Sequence, residues 1–350
     1  MSSSISPKES SMSVPKMRFG LVGAGAIAQT WCQAFEHSHT AQLVGIVDVR
    51  EEVATAVAER MKCKPFTAPA DLVDELHPDA VVLCTPPSTH PELCSWFLGQ
   101  GINVLCEKPL AVGLDEARAM LDAAEQSDAL LTMASKFRYV TDVVQAKSIV
   151  SSGLIGDLIL FENAFTSRVD MTHRWNADPE ISGGGVLIDN GTHSVDILRY
   201  FLGPIVELQV IEGKRVQDIP VEDTVRMFVR SEGGVMGSID LSWSLNKELP
   251  YYLSIYGSQG TVHVGWKESK YRRASDDKWT IFGKGYDKFQ AFSSQLDNFV
   301  KASRGEEAPL ITLADALASV EVIEAGYDAM WRAAWVPVEN QLSEAFGKAS

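Results

Sequence analysis

The sequence predicts an α/β protein in two parts, a doubly wound unit on a parallel sheet followed by a second α/β unit around a mostly antiparallel sheet. Three observations carry this. From about Met17 to residue 137, strands apolar at every position alternate with amphipathic helices, a pattern that buries a parallel sheet on both faces. From 157 to 266 the chain is mostly β-rich runs joined by short glycine-bearing turns, which favours hairpin-linked neighbours. The length of 350 residues suits two domains at roughly 150 residues each.

Taken in order, the first fifteen residues, MSSSISPKESSMSVP, are serine-rich and lack an apolar export core, so residues 1–16 are expected to form a disordered tail. MRFGLVG (17–23) is the first strand, with a helix over 26–37. QLVGIVDV (42–49) leads to REEVATAVAERM (50–61), and DAVVLCTP (79–86) to THPELCSWFLGQ (89–100). INVLCEKP (102–109) leads to LDEARAMLDAAEQ (114–126), and ALLTMASKF (129–137) ends the first domain, 17–137. A linking helix near 139–152 opens the second domain, 138–340. Its strands are DLILFENAFTSR, TVRMFVRSE, GVMGSIDLSWSL, YYLSIYGS and GTVHVGW; a helix at 185–203 interrupts them, and helices at 289–303 and 312–333 close the chain.

Composition narrows the function classes. With 31 basic and 46 acidic residues the net charge is −15, which repels nucleic acid and anionic membranes. No apolar run approaches the ~18 residues needed to span a bilayer. The five cysteines all fall in the first third without C-x-x-C spacing, fitting reduced thiols in a cytoplasmic protein. His37-x-His39 has too few companions for a zinc site, so no metal is expected. GSQG at 257–260 lacks the spacing of a serine nucleophile elbow.

Chemistry begins at the first strand-to-helix turn. Gly23, Gly25 and Ala28 form G-x-G-x-x-A; the first glycine allows the tight turn, and the second lets a pyrophosphate approach the amides around Ala26 and Ile27 at the helix start. Asp48 ends the next strand, where a carboxylate accepts from a ribose diol and repels a 2′-phosphate, favouring NAD over NADP. Arg50, two residues on, could pair with a phosphate. Otherwise the turn merely packs a helix and Asp48 caps one.

Ligands of such sheets sit at the carboxyl ends of the strands, which directs Thr85, Pro86, His90, Glu107 and Lys108 toward the cofactor cleft. There a lysine can donate to a substrate oxygen, though a strand-end lysine is also an ordinary surface residue, and His90 could as well cap or pack its helix. Asp189 and His193 lie four apart behind Gly183, Gly184 and Gly185. They are either an acid/base couple, the carboxylate raising the imidazole's basicity, or a surface pair worth a few tenths of a kcal/mol.

Six further segments, GAGAIA (23–28), TPPSTHPE (85–92), CEKPL (106–110), KFRY (136–139), SGLIGDL (152–158) and D-x-G-x-H-x-x-D-x-x-R (189–199), occur in order, with YGSQGTV at 256–262. Together they resemble the Gfo/Idh/MocA oxidoreductase family from about Met17 to Arg332. Ala28 in place of a third glycine is usual for that family. The resemblance implies an N-terminal NAD-binding Rossmann domain and a C-terminal substrate-binding α/β domain with a large, mostly antiparallel open sheet, used to form homodimers or homotetramers. It implies that Lys108 lies by the nicotinamide and the substrate hydroxyl, before a cis proline, and that Asp189 and His193 complete the acid/base group.

The reaction so implied is NAD-dependent interconversion of a secondary alcohol and a ketone on a sugar, glycoside, inositol or nucleotide sugar. His193 takes the hydroxyl proton and Lys108 steadies the oxyanion. Arg138, Arg168, His173, Arg174, Trp175 and Asn176 fall where they could line the substrate pocket, although ordinary sheet-edge decoration is the commoner fate of any one of them. Two other classes stay open: a glycoside hydrolase working by transient oxidation and elimination on tightly held NAD, and a non-catalytic NAD-binding regulator.

Overall fold

The computed structural model describes residues 15–341, so the expected tail lies outside the described residues apart from Pro15 and Lys16. Strands β1 (Met17–Val22), β2 (Ala41–Val47), β3 (Lys64–Phe66), β4 (Ala80–Leu83), β5 (Asn103–Glu107) and β6 (Leu131–Ala134) form one sheet. Its order is β3-β2-β1-β4-β5-β6, parallel throughout. The crossovers are α1 (Ala26–His37), α2 (Glu51–Met61), α3 (Pro69–Leu76), α4 (His90–Gly99) and α5 (Leu114–Glu125). Every residue of β4 and β6 is buried, the two-sided burial that uninterrupted apolar strands require. The sequence reading passed over β3 and α3. A three-residue strand, Lys64-Pro65-Phe66, shows no periodicity, and α3 has only eight residues, although Pro69 at its start is a usual helix-opening signal.

After α6 (Thr141–Ser151) come β7 (Leu158–Thr166), the single turn α7 (Pro179–Ser182) and the long α8 (Val186–Leu202). Then follow β8 (Ile205–Glu212), β9 (Thr224–Ser231), β10 (Met236–Ser242), β11 (Tyr251–Gly257), β12 (Gly260–Gly265), β13 (Ser269–Arg273) and β14 (Thr280–Gly283). Helices α9 (Lys288–Ser303) and α10 (Leu313–Arg332) precede β15 (Val336–Pro337). The second sheet has nine strands in the order β14-β13-β12-β11-β7-β10-β9-β8-β15. Only the β7–β10 pair is parallel. The five expected runs are β7 and β9 to β12. The strands that escaped, β8, β13, β14 and β15, lie toward the two margins of the sheet, where β13 (Ser-Lys-Tyr-Arg-Arg) is polar enough to hide its strand character.

One face of the nine-stranded sheet is covered by α8, which packs on β7, β9 and β10, and by α10, which packs on α8 and β8. Most of α8 is buried, from Val186 to Phe201. Helix α9 departs from the expected grouping: it packs on α1 rather than on the second sheet, and Phe292, Leu296, Phe299 and Val300 join the cluster built by Phe19, Leu21, Trp31 and Phe35. The Phe299 ring lies 5.8 Å from Phe19, and Phe292 meets Trp31 edge-on at 4.7 Å. The chain thus returns to the first sheet after β14, before α10 and β15 complete the second.

Because Phe299 is 1% exposed, Phe299→Ala is expected to cost about 3–5 kcal/mol of stability, read as a fall in the urea midpoint. A loss below about 1 kcal/mol would show that α9 is peripheral to the first core.

Candidate active site

The carboxyl edge of the six-stranded sheet carries most of the predicted groups. At the β1–α1 turn Gly23 has φ +89, and a Cβ there would lie 2.8 Å from the Cys84 backbone, so the turn closes against the next strand as only glycine allows. Helix α1 starts behind Gly25 with no side-chain cap and no acidic residue in its first turn. A Cβ on Gly25 would meet nothing within 4 Å. The amides at Ala26 and Ile27 therefore begin the helix on open space, an arrangement that fits a pyrophosphate.

Asp48 sits at the end of β2 with its Oδ2 accepting from the Ala24 amide at 2.9 Å and its Oδ1 3.0 Å from Arg50 Nε. Burial works to raise its pKa, and hydrogen bonds from Arg50 and the Ala24 and Arg50 amides outweigh that and lower it. The carboxylate is charged and fixed beside the glycine turn, as ribose recognition needs. Arg50, 58% exposed, pairs with Asp48.

Behind β4, Thr85 Oγ1 lies 2.7 Å from Thr89 Oγ1, and Pro86 follows it at the same edge. His90 does not face the cleft. It is fully buried, with Nδ1 2.9 Å from the Pro109 carbonyl and Nε2 3.0 Å from the Thr85 carbonyl, so it ties the β4 turn to the β5 turn. Burial lowers its pKa against the pull of those carbonyls. The reading that packs this histidine against its own surroundings is the one that the geometry favours.

At the end of β5, Glu107 is buried and its Oε1 accepts from Trp31 Nε1 at 2.8 Å. Burial raises its pKa, opposed by Trp31 and by the ammonium groups of Lys136 and Lys108. It lies beneath the edge, within the field of the two lysines. The Lys108–Pro109 peptide is cis.

Helix α8 supplies the other half. Its first amides are held by Glu222, whose Oε1 accepts from Gly185 N and Leu187 N at 3.0 Å each and from the Tyr327 hydroxyl at 3.0 Å. A Cβ on Gly185 would fall 2.1 Å from the Glu222 carbonyl oxygen. This clamp fixes the register of α8 and carries Asp189 to Lys108: Lys108 Nζ donates to Asp189 Oδ1 at 2.5 Å and to its backbone oxygen at 3.0 Å. The expected Asp189–His193 couple is therefore not made, because the ammonium outbids the imidazole for the carboxylate.

His193 instead places Nδ1 3.4 Å from Ser135 Oγ and Nε2 3.2 Å from Lys136 Nζ. Burial, then the charges of Lys136 and Lys108, push its pKa well down, the reverse of the expected gain in basicity. It is a neutral imidazole throughout the physiological range. Lys136 and Ser135 were missed by the sequence reading, although Lys136 opens the KFRY segment directly after β6, the same strand-end placement that singled out Lys108 after β5.

The proposed substrate residues divide. Arg138 is 3% exposed and its Nη2 lies 2.7 Å from Asp196 Oδ1, with Nη1 3.2 Å from Asp315 Oδ2; it joins β6, α8 and α10 inside the core and faces no pocket. Arg168, His173, Arg174, Trp175 and Asn176 lie on the segment after β7, all but Asn176 exposed. The 3₁₀ turn Trp175–Ala177 packs on α7, and α7 packs on the Pro87–Thr89 turn, which places this segment at the rim of the cleft. A groove lined by Arg18, His77, Asp79 and Arg304 opens at the amino ends of the parallel strands, away from these groups.

Comparison with known proteins agrees with this fold. Residues 17–135 match the family model "Oxidoreductase family, NAD-binding Rossmann fold", and residues 143–263 match the GFO/IDH/MocA C-terminal domain. The rhizopine catabolism protein MocA of Rhizobium meliloti is 26% identical over 91% of this chain and 96% of its own. Inositol 2-dehydrogenase of Rubrobacter xylanophilus is 30% identical over 71% of each. The structure of levoglucosan dehydrogenase with NADH and levoglucosan superposes with a TM-score of 0.86 at 21% identity, covering 93% of this chain and 100% of that one. Fold, turn and cleft define an NAD-dependent oxidoreductase. The chain belongs to the GFO/IDH/MocA family.

Removing Arg138 strands the buried Asp196 carboxylate, so Arg138→Met is expected to lower stability by about 3–5 kcal/mol. A raised KM at unchanged urea midpoint would instead return Arg138 to the substrate pocket.

Proposed function

We propose that this enzyme interconverts a secondary alcohol and a ketone on a sugar, glycoside, inositol or nucleotide sugar. The observation that carries the reading is convergence: an ammonium from the parallel sheet, Lys108, held by Asp189 of α8, and an imidazole from the same helix, His193, held by Lys136, lie at one edge. The relatives support the substrate class, since they are named for inositol, glucose 6-phosphate and glucosides. When bound, NAD supplies the hydride acceptor of alcohol oxidation. Gly23, Gly25, Ala26 and Ile27 would hold its pyrophosphate and Asp48 its adenosine ribose, which favours it over NADP.

Lys108 donates to the carbinol oxygen and stabilises the negative charge that develops there, while Asp189 keeps the ammonium aimed. His193, neutral, accepts the hydroxyl proton at Nε2. Trp175 offers a ring face, and Arg168, His173 and Asn176 offer donors, at the rim where a polyol would enter. The same family pattern favours a cytoplasmic homodimer or homotetramer joined by the outer face of the nine-stranded sheet. Ile211 and Met236 support that arrangement, being 52% and 58% exposed there.

A panel of inositols, aldoses, glycosides and nucleotide sugars, followed by nicotinamide absorbance with NAD and NADP, is expected to yield a substrate with NAD. On that substrate Lys108→Met and His193→Ala are each expected to lose roughly two orders of magnitude in turnover while NAD still binds. Near wild-type turnover in both would remove them from the mechanism. Met236→Lys on the sheet face is expected to shift the assembly toward monomer by light scattering; an unchanged mass would move the interface elsewhere.

A further inference from the structure

Three arrangements at the edge of the parallel sheet bear on where the hydroxyl proton goes. First, the tautomer of His193 is set by its neighbours. Its Nδ1 faces the fully buried Ser135 hydroxyl, which lies beside the Asp196 carboxylate. An ammonium can only donate, so the lone pair that meets Lys136 is on Nε2 and Nδ1 carries the hydrogen toward Ser135 Oγ. Second, that Nε2 faces Lys136 Nζ at 3.2 Å. Third, the two lysines of the site are not equivalent: Lys108 is paired with Asp189, whereas no carboxylate lies within ion-pair reach of Lys136 among the described residues.

An imidazole so enclosed cannot keep a proton. Burial and the neighbouring ammonium groups disfavour the imidazolium, and the Nδ1 side leads only into the buried Ser135, Asp196 and Arg138 group. A proton that reaches Nε2 has one partner to move to. Building on the alcohol dehydrogenase reading above, we propose that Lys136 is the proton-relay residue of the site, taking from His193 Nε2 the proton that alcohol oxidation releases and passing it to solvent.

The step balances. The substrate O–H bond breaks and its proton forms a bond with Nε2 as the carbinol C–H electron pair leaves as hydride to NAD. The Nε2–H proton then transfers to the lone pair of a neutral Lys136 amine, restoring the imidazole and leaving an ammonium. The ammonium, on a part-buried side chain, loses the proton to water. Ketone reduction runs the same path backward from the ammonium.

The surroundings favour an amine that exchanges protons near neutrality. Burial, then Lys108, lower the Lys136 pKa to about 8, with Lys288 of α9 adding to the repulsion and Glu107 and Asp189 opposing it. The sign follows. Oxidation needs the neutral amine, so its kcat/KM rises with pH through about 8; reduction needs the ammonium and falls through the same range.

The test joins kinetics to a readout that needs no turnover. In the cofactor-free protein, the ¹⁵N resonance of His193 Nε2 is expected to shift with a midpoint near pH 8, and to be flat across that range in Lys136→Met. In the active enzyme Lys136→Met is expected to lose roughly 100-fold in oxidation and the rising limb with it. Lys136→Arg, whose guanidinium stays protonated, is expected to be equally slow and to keep the fold should the methionine variant not. A limb and an Nε2 titration that persist unchanged in either variant would overturn the relay. Absence of turnover in the wild-type panel would instead remove the dehydrogenase reading, while the Nε2 titration would still report on Lys136.

Discussion

The contact between the Lys108 ammonium and the Asp189 carboxylate is the constraint on which the site depends. It joins the carboxyl edge of one sheet to the first turns of the helix that covers the other. Both side chains are mostly enclosed, at 16% and 22% exposure, where a charge pair is less screened than at an open surface. The pair holds only if α8 keeps its register, and that register is kept by Glu222 at the helix start and by Arg138 and Asp196 about three turns further on. Two buried ionic devices outside the cleft therefore position the one inside it.

Charge inside the cleft is distributed unevenly. Two ammonium groups share the space with one paired carboxylate, Asp189, and with Glu107, which lies beneath and is tied to Trp31. This surplus of positive charge suits an oxygen that becomes negative during the reaction. After burial, which is the larger cause, it also helps to keep His193 neutral and to make the amine left without a carboxylate, Lys136, give up its proton more readily than a surface lysine. Acidic residues dominate the chain as a whole, at −15, so the cationic spot is a local construction of strand ends rather than a property of composition.

Much of this was legible in the chain. The apolar strands, the glycine turn before α1 and Asp48 after β2 are local signals, since each is set by periodicity or by the steric demands of a single turn, and they located the cofactor-binding half without any tertiary information. Lys108 was legible for the same reason, being at a strand end on the binding edge. The weak elements β3 and β13 were not, because a short or polar strand carries little hydrophobic alternation. Arg138 and His90 misled because an arginine or histidine near a binding edge looks alike in sequence whether it faces solvent or a buried carboxylate or carbonyl.

By itself the sequence determined the class of fold, the order of its parts and the dinucleotide-binding turn, because these follow from patterns within a few residues. Only the tertiary structure decided which charges meet. The spacing of Asp189 and His193 permitted a couple along one helix face, yet the carboxylate found an ammonium 81 residues away and the imidazole found Lys136, 57 residues away. Helical spacing brings groups within reach, but the partner is chosen by competition among all the charges that folding gathers, and a stronger donor from another strand wins over a weaker one on the same helix.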